Sequence, residues 1–248
     1  MTEDLVARLG DDLVGGWMQL PGSATAELMG SIGFGFVCLD TQHGLIGEEA
    51  LLPMLQALTA TGTPALVRVA GNSPALIGKA LDRGADGVVV PLVSSAAEAA
   101  AAVAACRYPP AGSRSFGPVR AGWRSRLAPQ SREPLCIVMI ETVAAVEALD
   151  AILAVGGIDA VFVGPSDLAL SAGLPLGAPV GDPRFDALLR RIVRPCRDRG
   201  LPVGIYSASA GHVHHYRGLG FTYFALMSEA SMLVAAAAEH LAASRARR

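Results

Sequence analysis

Five side chains of this 248-residue sequence could do chemistry together: Asp40, His43, Arg68, Glu141 and Asp167. Asp40 and His43 follow the apolar run Phe36-Val37-Cys38-Leu39, Arg68 follows Ala65-Leu66-Val67, Glu141 follows Ile137-Val138-Met139-Ile140, and Asp167 comes just after Val161-Phe162-Val163. Such runs read as buried strands, and an ion at a buried strand's end is costly unless it faces another charge, a metal or a substrate. One such charge could mark where a strand meets water; four strands ending this way favour a shared site.

Glu141 and Asp167 are hard oxygen donors with no cysteine or histidine pair beside them, which points to a divalent cation of the Mg²⁺ or Mn²⁺ class rather than zinc. Such an ion leaves positions open for substrate oxygens, and a chelating 2-oxo acid such as pyruvate would fill two of them. The turn Gly164-Pro165-Ser166-Asp167 precedes a helix expected from near Leu168, whose free N–H groups could hold a carboxylate.

Lys79 is the single lysine and falls within a helical stretch, Pro74 to Leu81, so a Schiff-base mechanism or pyridoxal phosphate is not expected. An enolate would then be stabilised by a metal and Arg68, with His43 as the proton-transfer group because imidazole titrates nearest neutral pH. Trp17 ends the first strand and could line the same mouth or only pack. His212, His214 and His215 lack the spacing of a known ligand pair and read as a helix surface. Arg114 and Arg120 could cover an acidic substrate or be solvated.

These residues need a scaffold that gathers distant strand ends. Short apolar runs at Leu13–Met18, Phe34–Leu39, Pro64–Val69, Gly87–Val90, Leu135–Ile140, Ala160–Val163, Pro202–Ile205 and Tyr223–Leu226 alternate with helical spacing such as Leu51, Met54, Leu55 and Leu58. Glycine recurs before strands at Gly33, Gly84, Gly157, Gly200 and Gly220, where a left-handed helix end is expected. Eight such units in about 250 residues predict an α/β fold, a (β/α)₈ barrel formed by one domain over residues 1–248. In that fold the carboxyl ends of the strands share one mouth. The rival open sheet lacks both nucleotide-binding glycine motifs, so no NAD is expected.

A formal charge of −2 with 52% hydrophobic residues excludes disorder and leaves no basic stripe for nucleic acid and no membrane anchor. The Ala-rich stretches are too short to cross a bilayer. The start Met-Thr-Glu-Asp is not that of a signal peptide, and the four cysteines form no C-x-x-C pair, so a cytoplasmic protein acting on a small molecule is expected.

At these residues the sequence resembles the HpcH/HpaI family of metal-dependent hydroxy-oxo-acid aldolases, nearly end to end. The resemblance is carried by Leu39-Asp40-Thr41-Gln42-His43-Gly44, Val67-Arg68, Val90-Pro91, Arg107-Tyr108-Pro109-Pro110-Ala111-Gly112-Ser113-Arg114, Met139-Ile140-Glu141-Thr142 and Phe162-Val163-Gly164-Pro165-Ser166-Asp167-Leu168. It implies a TIM barrel of the phosphoenolpyruvate/pyruvate type that reversibly cleaves a 4-hydroxy-2-oxo acid to pyruvate and an aldehyde through a metal-stabilised enolate. Glu141 and Asp167 would hold Mg²⁺, Mn²⁺ or Co²⁺. The backbone amides of Ser166 and Asp167 would bind the pyruvate carboxylate, Arg68 the enolate oxygen, and His43 would be the base. Asp82 matches an aspartate that raises the basicity of that histidine; as it precedes a helix-ending glycine at the far end of its own barrel, it would serve a neighbouring subunit, and hexamers are implied.

The sequence departs from the family pattern in three places. Gln42 stands where several relatives carry Glu, leaving Asp40 to order metal-bound water; Met139 replaces a glutamine that contacts pyruvate in some members; and Arg114-Ser115-Phe116-Gly117 puts an aromatic ring in the long loop. Two other readings stay open: a citrate-lyase-β-like lyase acting on an acyl-coenzyme A thioester, and a barrel that binds a 2-oxo acid without turnover.

Overall fold

Eight parallel strands, each hydrogen-bonded to the next in sequence order and the last to the first, close into a barrel. The computed structural model describes residues 2–127, 133–175 and 180–245. Among them the order is α1 Thr2–Leu9, β1 Leu13–Met18, α2 Ser23–Ser31, β2 Val37–Asp40, α3 Glu48–Ala60, β3 Ala65–Arg68, α4 Pro74–Asp82, β4 Gly87–Val90, α5 Ala96–Cys106, α6 Val119–Leu127, β5 Leu135–Ile140, α7 Val143–Glu147, α8 Leu149–Leu153, β6 Ala160–Val163, α9 Pro165–Ser171, α10 Pro183–Asp198, β7 Val203–Ser207, α11 Ala210–Leu219, β8 Tyr223–Ser228 and α12 Glu229–Arg245. This is the expected (β/α)₈ barrel. The five glycines ahead of strands all take positive φ, from 67° at Gly200 to 102° at Gly33.

The strands are apolar throughout because both faces are covered. One face packs outward against the helices, where α3 buries Leu51, Met54, Leu55 and Leu58. The other fills the interior with Trp17, Phe36, Cys38, Leu66, Val89, Ile137, Met139, Phe162 and Tyr223. Helix α1, which the sequence pattern did not reveal, adds fully buried Leu5 and Leu9 to that interior and plugs the end where the strands begin.

Large rings fit inside only because glycines face them. A Cβ on Gly15 would overlap the Phe36 ring, and one on Gly204 would overlap the ring of Tyr223, whose buried hydroxyl donates to the Val161 carbonyl at 2.7 Å. Gly204→Ala is therefore expected to destabilise the protein by about 1–3 kcal/mol through overpacking. A urea midpoint unchanged from wild type would contradict it.

The long connection from Tyr108 to Pro134 is partly helical, at α6, and residues 128–132 lie outside the described residues. It joins α5 to β5 at the strands' amino ends, opposite the mouth. Arg120 donates to the carbonyls of Arg83 and Leu55 there, and Arg114 is buried, so these arginines fasten the loop rather than being solvated or covering a substrate at the mouth.

Candidate active site at the barrel mouth

Period two decides which strand residues face inward. Trp17, Cys38, Leu66 and Met139 point into the barrel, so Asp40, Arg68 and Glu141, two residues beyond the last three, follow on the same face. Asp40 and Arg68 are register partners on β2 and β3 and close those strands. Their side chains meet as a buried bidentate pair, with Nε donating to Oδ1 at 2.9 Å and Nη2 to Oδ2 at 2.6 Å. The Arg68 guanidinium also lies over the Trp17 ring, 4.9 Å from its centroid.

Asp40 organises the mouth. Its Oδ2 also accepts the Trp17 indole N–H at 3.3 Å and the Gln19 amide at 3.4 Å, while Oδ1 accepts the backbone N–H groups of Gln42 and His43 at 3.0 and 3.1 Å. Burial alone would push its pKa up, but the Arg68 hydrogen bonds and charge, helped by those amides, hold it below the ordinary carboxylate range. The acceptors of Asp40 are thus taken up by protein donors. Gln42 differs: its Oε1 is buried and has no hydrogen-bond partner among the described residues.

Glu141 is 2% exposed, and its Oε1 accepts the Leu92 N–H at 2.7 Å. Leu92 reaches it from a left-handed backbone conformation, φ 57°, which non-glycine residues rarely adopt. The pKa of Glu141 is raised, first by burial and then by the negative charge of Asp167, against the opposing pull of the Leu92 amide and Arg68. Gly164 lies against Glu141: a Cβ there would overlap its Oε2. Among the described residues Glu141 has no ion-pair partner, and no three His, Cys, Asp or Glu side chains gather as a ready-made metal cage. A buried carboxylate resisting ionisation beside a second carboxylate fits a hard divalent cation, which would complete its shell with water or substrate oxygens.

Helix α9 begins at Pro165 rather than near Leu168, because proline is favoured at a helix's first position. Asp167 therefore sits in the first turn. Leu168 gives the first N–H back to the Gly164 carbonyl, which leaves the amides of Ser166 and Asp167 ahead of the helical ladder.

A cleft of about 210 Å³ opens over these groups, lined by Trp17, Gln19, His43, Arg68, Met139, Phe162, Gly164, Pro165, Ser166, Asp167 and Tyr206. Its floor is aromatic: Trp17 stacks on Phe162 at 5.6 Å and meets Tyr206 edge-on at 5.8 Å. Gln19, Phe162 and Tyr206 were not singled out from sequence. Inward alternation with Gly164 and Gly204 was the available signal for the two aromatics.

Asp82 is not brought to this cleft within one chain. It ends α4 on the far side of the barrel, where Arg114 donates to it at 2.6 Å and lies over the Tyr108 ring. Lys79 pairs with Glu48 on the outer surface. On α11, His215 engages Asp186 and His214 engages Arg217.

Comparison with known proteins adds the relatives of this arrangement. Residues 14–236 match the family model described as HpcH/HpaI aldolase/citrate lyase. The chain is 36% identical over 239 residues to a 2-dehydro-3,6-dideoxy-6-sulfogluconate aldolase of Pseudomonas putida, covering 94% of this chain and 93% of that one. It is 38% identical over 244 residues to a hydroxypyruvate/pyruvate aldolase of Rhizorhabdus wittichii, covering 96% of each. Among solved structures, an HpcH/HpaI aldolase/citrate lyase family protein from Burkholderia cenocepacia J2315 superposes with a TM-score of 0.89 at 28% identity, over 98% of this chain and 99% of that one.

Proposed function

The chain belongs to the HpcH/HpaI aldolase/citrate lyase family, and from that membership we propose a divalent-metal-dependent aldolase that reversibly cleaves a 4-hydroxy-2-oxo acid to pyruvate, or a close 2-oxo acid, and an aldehyde. The observation that carries this reading is the buried, charge-resisting Glu141 beside Asp167, facing an arginine that Asp40 holds in place.

Glu141 and Asp167 would hold Mg²⁺, Mn²⁺ or Co²⁺. When bound, the cation supplies Lewis-acid stabilisation of charge on the substrate's oxygens. The chain's own residues do the rest. The Ser166 and Asp167 amides hold the pyruvate carboxylate, and Met139 lines the cleft beside them. His43 takes the proton from the C4 hydroxyl as the C3–C4 bond breaks. The bonding electrons pass toward the C2 oxygen, where Arg68, fixed by Asp40, meets the developing negative charge. Trp17 and Phe162 keep water from the floor of the cleft. A proton then returns to C3 to complete pyruvate.

We read residues 1–248 as one catalytic domain that works in the cytoplasm as a homo-oligomer, a hexamer by family likeness. Asp82 would support His43 of a neighbouring subunit, with Gln42 and Asp40 behind the base. Support comes from α12, where Leu233, Val234 and Leu241 are exposed on a helix that leaves the barrel surface, as a partner-binding segment would.

The test is exchange of pyruvate methyl protons in deuterium oxide. Chelator-treated protein is expected to lose exchange, and Mn²⁺ or Mg²⁺ to restore it. Equal rates with and without metal would reject the reading.

A further inference from the structure

We propose that Glu229 is a positioning residue: it anchors the loop after β1 and, through that loop, the segment that presents His43 to the cleft. Glu229 opens α12 and is 7% exposed. A carboxylate there would ordinarily cap its own helix. Here only one bond, from Ala230 N–H to Oε2 at 3.1 Å, stays local. The others go to a segment some 210 positions away: Oε1 accepts the Gln19 and Leu20 N–H groups at 2.8 and 2.7 Å, and Oε2 shares the Gln19 N–H at 2.9 Å. Hydrogen bonds from backbone amides to an ionised acceptor are the stronger kind.

Gln19 passes this hold onward. Its carbonyl accepts the Leu45 N–H at 2.7 Å and its side chain reaches Asp40, whose Oδ1 accepts the N–H groups of Gln42 and His43. The segment 42–45 is thus strung between two anchors, Asp40 at one end and Gln19 at the other. Gly44 lies flat against both: a Cβ there would overlap the Asp40 carbonyl and come within 3.1 Å of Gln19. Glu229 accordingly sets where His43 stands without touching substrate. The functional part of this inference rests on His43 acting as the base.

The experiment compares full-length Glu229→Gln with wild type by three readouts. Glutamine keeps the size but turns one acceptor into a donor facing backbone N–H groups. Amide hydrogen exchange is expected to quicken at residues 19–20 and 42–46. The kcat for cleavage of a 4-hydroxy-2-oxo acid, in which His43 takes the C4 hydroxyl proton, is expected to fall about tenfold to a hundredfold, as small misplacements of a reacting group do. Mn²⁺ affinity, which reports Glu141 and Asp167, is expected to be unchanged. Leu45→Pro, which removes the N–H given to Gln19 on an exposed residue but leaves Glu229 in place, is expected to quicken exchange at 42–44 and lower kcat while residues 19–20 stay protected. Protected amides with a wild-type rate would overturn the proposal, and so would an equal loss of Mn²⁺ affinity, which would mark general collapse of the mouth. His43→Asn separates the two readings: a wild-type rate of 4-hydroxy-2-oxo acid cleavage in that variant removes the base assignment, while amide protection at 42–46 still reports the anchor.

Discussion

Glu141→Ala is expected to lower pyruvate methyl exchange by about 10³-fold with Mn²⁺ present, and to abolish the rise in thermal stability that Mn²⁺ gives the wild type. The physical reason is the carboxylate's environment. Burial and Asp167 raise its pKa, so near and below that raised value the site holds a proton that a cation must displace. Above it the ionised carboxylate has no ion-pair partner among the described residues, and only the Leu92 amide and the field of Arg68 offset its charge. Metal stabilisation of the wild type should therefore grow as pH rises from the acid side and be absent from the variant at every pH. Scanning calorimetry with and without Mn²⁺ checks this, and a metal-dependent shift that survives in Glu141→Ala would remove it from the ligand set.

The second large effect is expected at Asp40. Asp40→Asn leaves Arg68 buried without its counter-charge and replaces one acceptor with a donor, which should cost about 3–5 kcal/mol of stability. Exchange activity should fall too, because Arg68 and the His43 backbone lose the same anchor. The sign of the pH dependence follows from the direction of the shift. A carboxyl whose folded pKa is depressed contributes stability that is fully present above the unfolded value, about 3.9, and is lost as pH falls through the folded value. Wild type should therefore lose stability below about pH 4, and Asp40→Asn should lack that part of the acid limb. Urea unfolding across pH 3 to 7 measures both, and coincident curves would refute the role given to the pair.

Much of the scaffold was legible because parallel strands buried on both faces leave continuous apolar runs. The bounds expected for β1, β4, β5 and β6 match the structure. The β2 strand starts at Val37 rather than Phe34, since Gly35 still bonds back to Val14 before the regular ladder begins, while β7 and β8 run on to Ser207 and Ser228. The charged strand ends were legible for the same reason: an ion after such a run is anomalous. What stayed hidden acts through the backbone or across long separations. Nothing local marks Leu92 as a left-handed residue whose amide supports Glu141. Nothing near Glu229 says that its partners are Gln19 and Leu20. Tyr206 lies one residue past the expected strand end at Ile205, so its inward direction went unread.

Helix α1 seals the barrel at the strands' amino ends with Leu5 and Leu9, so traffic must use a single doorway. On the proposed reading, a compound held against the floor of Trp17 and Phe162 would be covered by a second one standing above it. Pyruvate, as the inner occupant, would then arrive first in the condensing direction and depart last in the cleaving one. Steady-state patterns should show that sequence, with pyruvate competing directly against the cleavable acid and the aldehyde not doing so.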